Sequence, residues 1–129
     1  MSSFSDALGI SASGLRAQTQ RMQIVAQNVA NTDTPGYQRK LISFAAEAKA
    51  AKKDQVKIDK VRLARREGER IYDPGHPMAD LTGHYTGSNV DLVMEIADAR
   101  EAQRSYEANL KMFDQVRQMS TGLMDLLRK

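Results

Sequence analysis

Read at a period of seven, Leu8, Leu15, Met22 and Val29 fall in register, and Ser5, Ala12, Thr19 and Ala26 form a row three places ahead of them. A large row beside a small one is the pattern of a helix packed closely on another helix. Either Ser3 or Ser5 is placed to cap it. Gly9 and Gly14 each weaken it by roughly 1 kcal/mol relative to Ala, so neighbours must hold it. At the other end Ile96, Ala99, Gln103, Tyr106, Leu110, Phe113, Arg117, Ser120, Met124 and Leu127 follow 3-4 spacing. A second row, Met112, Val116, Met119, Leu123 and Leu126, makes the helix apolar on more than one face beyond residue 109. Asn89 reads as the cap, with Asp91 and Glu95 near the positive end of the dipole and Arg128 and Lys129 near the negative end. Gln103 and Arg117 are polar positions in the seam, placed to set register.

Lengths turn this pattern into an assembly argument. At ~1.5 Å per residue, residues 4–30 make a rod of about 40 Å and residues 91–128 one of about 57 Å. The first helix cannot flank the whole of the second. Burial at ~25 cal/mol per Å² favours covering the remainder with other chains. The glycines and unpaired apolar rows further predict terminal helices that are largely disordered before assembly.

The middle has a different period. Residues 41–54 read either as a short helix or as an extended lead-in. Val56, Ile58, Val61 and Leu63 alternate with one slip near Lys60, which predicts a strand with a bulge. Gly68 marks a turn, from which residues 70–72 return as the second arm of a hairpin. The stretch DPGHPMADLTGHYTGSN, residues 73–89, is rich in Gly, Pro and Asp and predicts loop with one short strand. The fold class is mainly α: antiparallel, coiled-coil-like N- and C-terminal helices around a small β-hairpin and loop segment. The predicted divisions are residues 1–30, 31–89 and 90–129.

Composition narrows the class little. Of 129 residues 41% are hydrophobic and 27% charged, with seven Met and no Trp, a mixture that suits helices packing on helices. The absence of cysteine removes disulfides and thiolate metal sites. MSSFSDALGISASGLRAQ has neither a basic n-region nor an apolar h-region, so no cleaved secretory signal is expected. No run approaches the ~18 apolar residues of a membrane span.

Candidate chemistry is sparse. Asp73, His76, Asp80 and His84 form a His/carboxylate cluster, but its spacing matches no metal signature, and solvated turn residues are the better reading. No nucleophile triad, phosphate loop or dinucleotide fingerprint is present. The basic run from Lys49 to Arg66 is the strongest nucleic-acid signal, yet Asp54 and Asp59 interrupt it and no aromatics accompany it. A solvated or inter-subunit face accounts for it better.

One segment names a family. VANTDTPGYQRK, residues 29–40, follows the first helix, and Ala30, Asn31, Thr34, Pro35, Gly36 and Tyr37 match the Ala-Asn-x-x-Thr-Pro-Gly-Tyr motif that it resembles, that of the bacterial flagellar rod and hook proteins. RIYDPGHPMAD, SNVDLVMEIADA and RSYEANLKMFD are similar to the proximal-rod members of that family, with Asp73, Pro74, Gly75, His76, Pro77, Asn89, Val90 and Asp91 carrying the match. Tyr85 fits an aromatic-x-x-Pro-Asn-Val-Asp pattern in which Ser88 stands at the proline position. The resemblance implies a structural protein without catalysis or cofactor, exported through the flagellar type III apparatus without signal cleavage. It implies a periplasm-spanning tube that transmits torque from motor to hook. The partners would be other copies, other rod proteins and the basal ring region, with no nucleic acid and no lipid anchor.

The physical reading of the motif agrees with that. Pro35 forbids helical continuation, Gly36 permits positive φ, and Asn31 and Thr34 are placed to bond freed backbone groups. Tyr37 has an amphipathic ring to seal against a neighbour. The assembly residues expected are Leu8, Leu15, Met22 and Val29 with Ile96, Tyr106, Leu110, Phe113, Leu123 and Leu127. A soluble coiled-coil adaptor fits the same rows but gives no reason for ANTDTPGY.

Overall fold

The computed structural model describes residues 2–46 and 54–128. Helix α1, Ser2–Ala30, is followed by β1, Lys40–Ala46, and β2, Val56–Leu63. Two short strands come next, β3, Arg70–Tyr72, and β4, His84–Thr86, before the long α2, Leu92–Arg128. No helix among the described residues is long and apolar enough to cross a membrane.

The helices lie antiparallel, as the rows predict. Gly14 faces Asn109, Arg21 reaches Asp98 and Glu101, and Asn28 meets Glu95. The approach is close: a Cβ on Gly14 would sit 2.7 Å from Asn109 Oδ1, so only glycine fits there without moving the amide. The expected faces are rotated, however. On α1 the buried stripe is Ser11, Ser13, Gly14, Ala17, Val25 and Asn28, while Leu8, Leu15 and Met22 flank it half-buried and Val29 is exposed. On α2 the buried positions are Glu95 and Ala102, whereas Ile96, Gln103 and Arg117 face solvent. Close-packed backbones need small side chains between them, so the large apolar rows are displaced by about a quarter turn.

The strands pair differently from the sequence expectation. Residues 41–46 are extended and pair antiparallel with β2; the rest of that lead-in, with Lys49, Lys52 and Lys53, lies outside the described residues. Ser43 pairs with Lys60 and Phe44 with Ile58, which leaves Asp59 as the extra residue of a bulge beside the predicted slip. β3 does not return along β2. It pairs with β4, Ile71 opposite Tyr85, because the chain from Asp73 to Gly83 closes a second hairpin on its own turn bonds.

Two caps also move. Ser3 and Ser5 lie inside α1, within its first turn or so. Asp91, not Asn89, caps α2, its Oδ1 accepting the Val93 N–H at 3.0 Å. Asn89 is occupied elsewhere: its Oδ1 accepts the Arg39 N–H, and its Nδ2 donates to the carbonyls of Ala64 at 3.0 Å and Arg66 at 2.7 Å.

α1 pins the first hairpin at both ends. Asn28 acts as a strand partner for Lys40, accepting its N–H at 2.9 Å and donating to its carbonyl at 3.0 Å. The Ser13 hydroxyl accepts the Val56 N–H at 2.9 Å while donating to Ile10 O at 2.7 Å. Both anchoring side chains are buried, so each would leave unpaired groups behind if removed.

This polar lock narrows the expectation of disordered ends. In the isolated subunit, amide exchange should be slow across residues 11–28 and 95–109 and fast across residues 121–128, all of which are exposed. Glu95→Ala should erase that protection by uncovering Arg39, a loss of about 3–5 kcal/mol. Unchanged exchange in the Glu95→Ala protein would count against the lock.

Candidate assembly interface

The rod-like motif forms the junction from which α1 hands the chain to the rest of the molecule. α1 ends at Ala30, and residues 31–36 turn the chain. Asn31 Nδ2 donates to Gln27 O at 2.8 Å, and Thr32 Oγ1 to Val29 O at 2.8 Å, satisfying carbonyls the helix end leaves open. Thr34 Oγ1 donates to Asn31 Oδ1 at 3.0 Å, which fixes the turn from within. Gly36 takes φ 73°, the left-handed conformation expected of it, and its N–H donates to Thr86 O at 3.1 Å.

Tyr37 was expected to seal against a neighbour; its hydroxyl is used inside the chain. It donates to Asn28 Oδ1 at 2.9 Å. Burial, and secondarily the Glu95 charge, push its phenol above the ordinary value, so it remains a donor at neutral pH. The stability this adds is present below the ordinary phenol pKa and is lost as pH rises through the folded value.

The centre of the junction is a carboxylate. Glu95 is fully buried, accepts from Asn28 Nδ2 at 3.3 Å on both oxygens, and pairs with the Arg39 guanidinium. Arg39 also reaches Asp98 Oδ2 at 3.1 Å, and Asp98 Oδ1 accepts from Arg21 at 2.6 Å. One network therefore joins α1, the strand after the motif and the first turns of α2. Ser88, at the position where the resemblance has proline, donates its hydroxyl to Thr32 O and ties the motif to the approach to α2. The sequence marks Glu95 only as a helix-start acid and Asn89 as a cap and part of the family match, and Asn28 and Arg39 were passed over. An Asn in the last turns of an apolar-patterned helix, followed by a basic residue after a turn, was the available signal.

The DPGHP element builds the second hairpin rather than a metal centre: no cluster of potential ligands among the described residues could hold an ion. Asp73 O accepts the His76 N–H at 3.0 Å, and Asp73 Oδ1 accepts the Gly75 N–H at 3.2 Å. The His76 ring stacks on Tyr85 at 3.9 Å between centroids. Asp80 accepts from Thr82 and His84, which hold its carboxyl well below the usual carboxylate range. Its contribution is present above the unfolded pKa and is lost only as pH falls through that depressed value. Pro74, Gly75 and Pro77 shape this turn and are exposed, or nearly so, while Val90 and Asp91 lead into α2.

Outside the junction the molecule is greasy. Leu110, Met112, Met119, Leu123, Met124, Leu126 and Leu127 are exposed along the last five turns of α2. Tyr106 and Phe113 are half-buried beside α1, and every residue from 121 to 128 is exposed. Six exposed large apolar side chains within residues 112–127 form a face that isolated soluble helices avoid. The buried core offers little by contrast: among the described residues Ala17, Val25 and Ala102 are its apolar members.

Comparison with known proteins follows these two regions. The family model described as flagella basal body rod protein matches residues 8–38, that is, α1 and the motif. The model described as flagellar basal body rod FlgEFG protein C-terminal matches residues 81–126, that is, β4 and α2. The flagellar basal-body rod protein FlgC of Agrobacterium fabrum is 40% identical over 99% of this chain and 98% of its own. Its Escherichia coli O157:H7 counterpart is 34% identical over 91% and 92%, and that of Aquifex aeolicus 39% over 84% and 85%. With the motif, the paired terminal helices and near full-length relatives in agreement, the chain belongs to the flagellar basal-body rod protein FlgC family.

Proposed function

We propose that this chain is a structural subunit of the bacterial flagellar basal-body rod that polymerises through its two terminal helices. The observation that carries the reading is the exposed apolar surface of the last turns of α2: Phe113, Val116 and Ser120 are half-buried, whereas Leu110, Met112, Met119, Leu123, Met124, Leu126 and Leu127 are exposed. Covering it with other copies or other rod subunits is the favourable outcome in water. Leu8, Leu15 and Met22 are half-buried and Val29 exposed along α1, Leu110 is exposed within the paired stretch of α2, and Leu123 and Leu127 are exposed near its end, so each set retains surface for neighbours. Ile96 faces outward at the base of α2, and Tyr106 and Phe113 bridge the pair.

The finer reading follows the sequence resemblance. The subunit occupies the proximal rod, spans the periplasm with other rod proteins, meets the basal ring region and passes torque toward the hook. It reaches that place through the flagellar type III apparatus. No catalytic role is proposed: the relatives are named as rod proteins, and the pockets along the helices are shallow and open to solvent.

Removal of residues 110–128 separates a rod subunit from a soluble adaptor. The truncated chain should still be made, but it should be missing from purified basal bodies, and cells should not swim. Normal motility with the truncated chain would sink the reading. The nucleic-acid alternative makes the opposite demand on the basic strand: binding to duplex DNA or RNA at low salt that collapses as salt rises. No binding in about 50 mM salt, where phosphate contacts are strongest, is the expected result.

A further inference from the structure

The β3–β4 hairpin carries apolar side chains at its tip that nothing among the described residues covers. Met78 is 62% exposed and Leu81 is completely so, beside a largely exposed Tyr72. Yet the tip is built rigidly. Asp80 Oδ1 accepts from Thr82 N at 2.9 Å, Thr82 Oγ1 at 2.6 Å and His84 N at 3.1 Å, and Oδ2 accepts from Arg70 at 2.7 Å. The Met78 N–H donates to His76 Nδ1 at 3.1 Å, and His76 itself is stacked on Tyr85. A preorganised knob loses little entropy on docking, which a mobile loop tip would have to give up.

The same chain carries a matching depression. On the side of α2 turned away from α1, Val93 is 76% and Ile96 52% exposed, and with Ala97 they floor a shallow groove. Arg100 and Arg104 rim it, and neither enters an ion pair among the described residues. Glu101, on the same rim, is engaged by Arg21. The knob has the opposite balance. Residues 69–87 hold Glu69, Asp73 and Asp80 against Arg70 alone, and Arg70 is committed to Asp80. Glu69 lies at the base of the hairpin, opposite Gly87, so Asp73 is the acid that stands beside the apolar tip without an ion pair among the described residues.

We propose that the β3–β4 tip of one copy seats Met78 and Leu81 in the Val93–Ile96–Ala97 groove of the next, with Asp73 turned toward Arg100 and Arg104. The occupant is a second copy because one chain supplies both an acidic apolar knob and a basic apolar groove. Two different patches meeting head to tail make a heterologous contact, which propagates along an array instead of closing a dimer. Two seated side chains bury far less than the roughly 1,000 Å² that a stable interface needs. The contact therefore sets the angle between copies that the terminal helices have already joined. It rests on the polymer reading above and adds a specific neighbour-to-neighbour register to it.

Because the chain has no cysteine, paired cysteines report this contact without background. Leu81 and Ile96 are both exposed, so Leu81→Cys with Ile96→Cys leaves the fold intact. Oxidised basal bodies carrying the double variant should yield covalent dimers and longer ladders of this chain, which neither single variant gives. Adding Arg100→Glu and Arg104→Glu should cut the yield about tenfold, and Asp73→Lys should restore most of it. Swimming cells whose double variant gives no copy-to-copy band would overturn the proposal, as would a band to a different rod protein or a cross-link within one chain. Failure of the unmodified chain to enter basal bodies would instead sink the function proposed above.

Discussion

Glu95 places a carboxylate where solvent does not reach, and three separate parts of the chain must meet to answer it. Arg39 supplies the countercharge, Asn28 supplies N–H donors, and Glu95 itself belongs to the first turn of α2. An ion moved out of water costs several kcal/mol, and a partner at good geometry only offsets that. Stability alone does not account for the arrangement. A slip of α1 against α2 by one turn, about 5.4 Å, would carry Asn28 away from Glu95 and leave the buried carboxylate short of donors, so the junction disfavours a shifted register. The turn from Asn31 to Gly36 exists in this scheme to bring Tyr37, Arg39 and Lys40 back onto the helix they have just left.

From that constraint follows an inverted distribution of residue types. Polar side chains, Ser11, Ser13, Asn28 and Glu95, are buried, Asn28 and Glu95 between the helices and Ser13 against the first hairpin, while most large apolar ones are exposed. Small and polar groups let the backbones approach, as Gly14 and Asn109 show, but they bury little apolar area. A chain built this way has a well-defined internal register and a weak private core. Its apolar surface is reserved for neighbours, which is the division of labour a polymer subunit needs. The hairpins depend on the same network: Asn28 and Ser13 hold the first at its two ends, and Gly36 and Ser88 join the second to the motif.

Several features were legible before any coordinates. The two terminal helices follow from 3-4 spacing, while their pairing was what the family resemblance implied; the strand at Val56–Leu63 and its bulge follow from alternation with one slip. The chain-ending turn at Pro35–Gly36 follows from backbone chemistry that only those residue types allow. Each of these rests on local physics: periodicity along one element, or the steric demands of one residue. The large excess of apolar surface on residues 110–128 was likewise visible, since it needs only a count of faces.

What the tertiary structure decided were the choices of partner. Apolar rows mark where greasy side chains recur, not which face another backbone will approach, and here the approach selected Gly14, Ala17 and Ala102 over Leu15 and Met22. β3 chose β4 because the turn bonds around Asp73 and Asp80 close that hairpin locally, a competition no strand pattern reveals. Asn89 left its expected cap to Asp91, since its amide could bond Arg39, Ala64 and Arg66 together once the fold placed them in reach. The buried Glu95 could not have been distinguished from any other helix-start acid, because its desolvation and its partners are created by contacts distant along the chain.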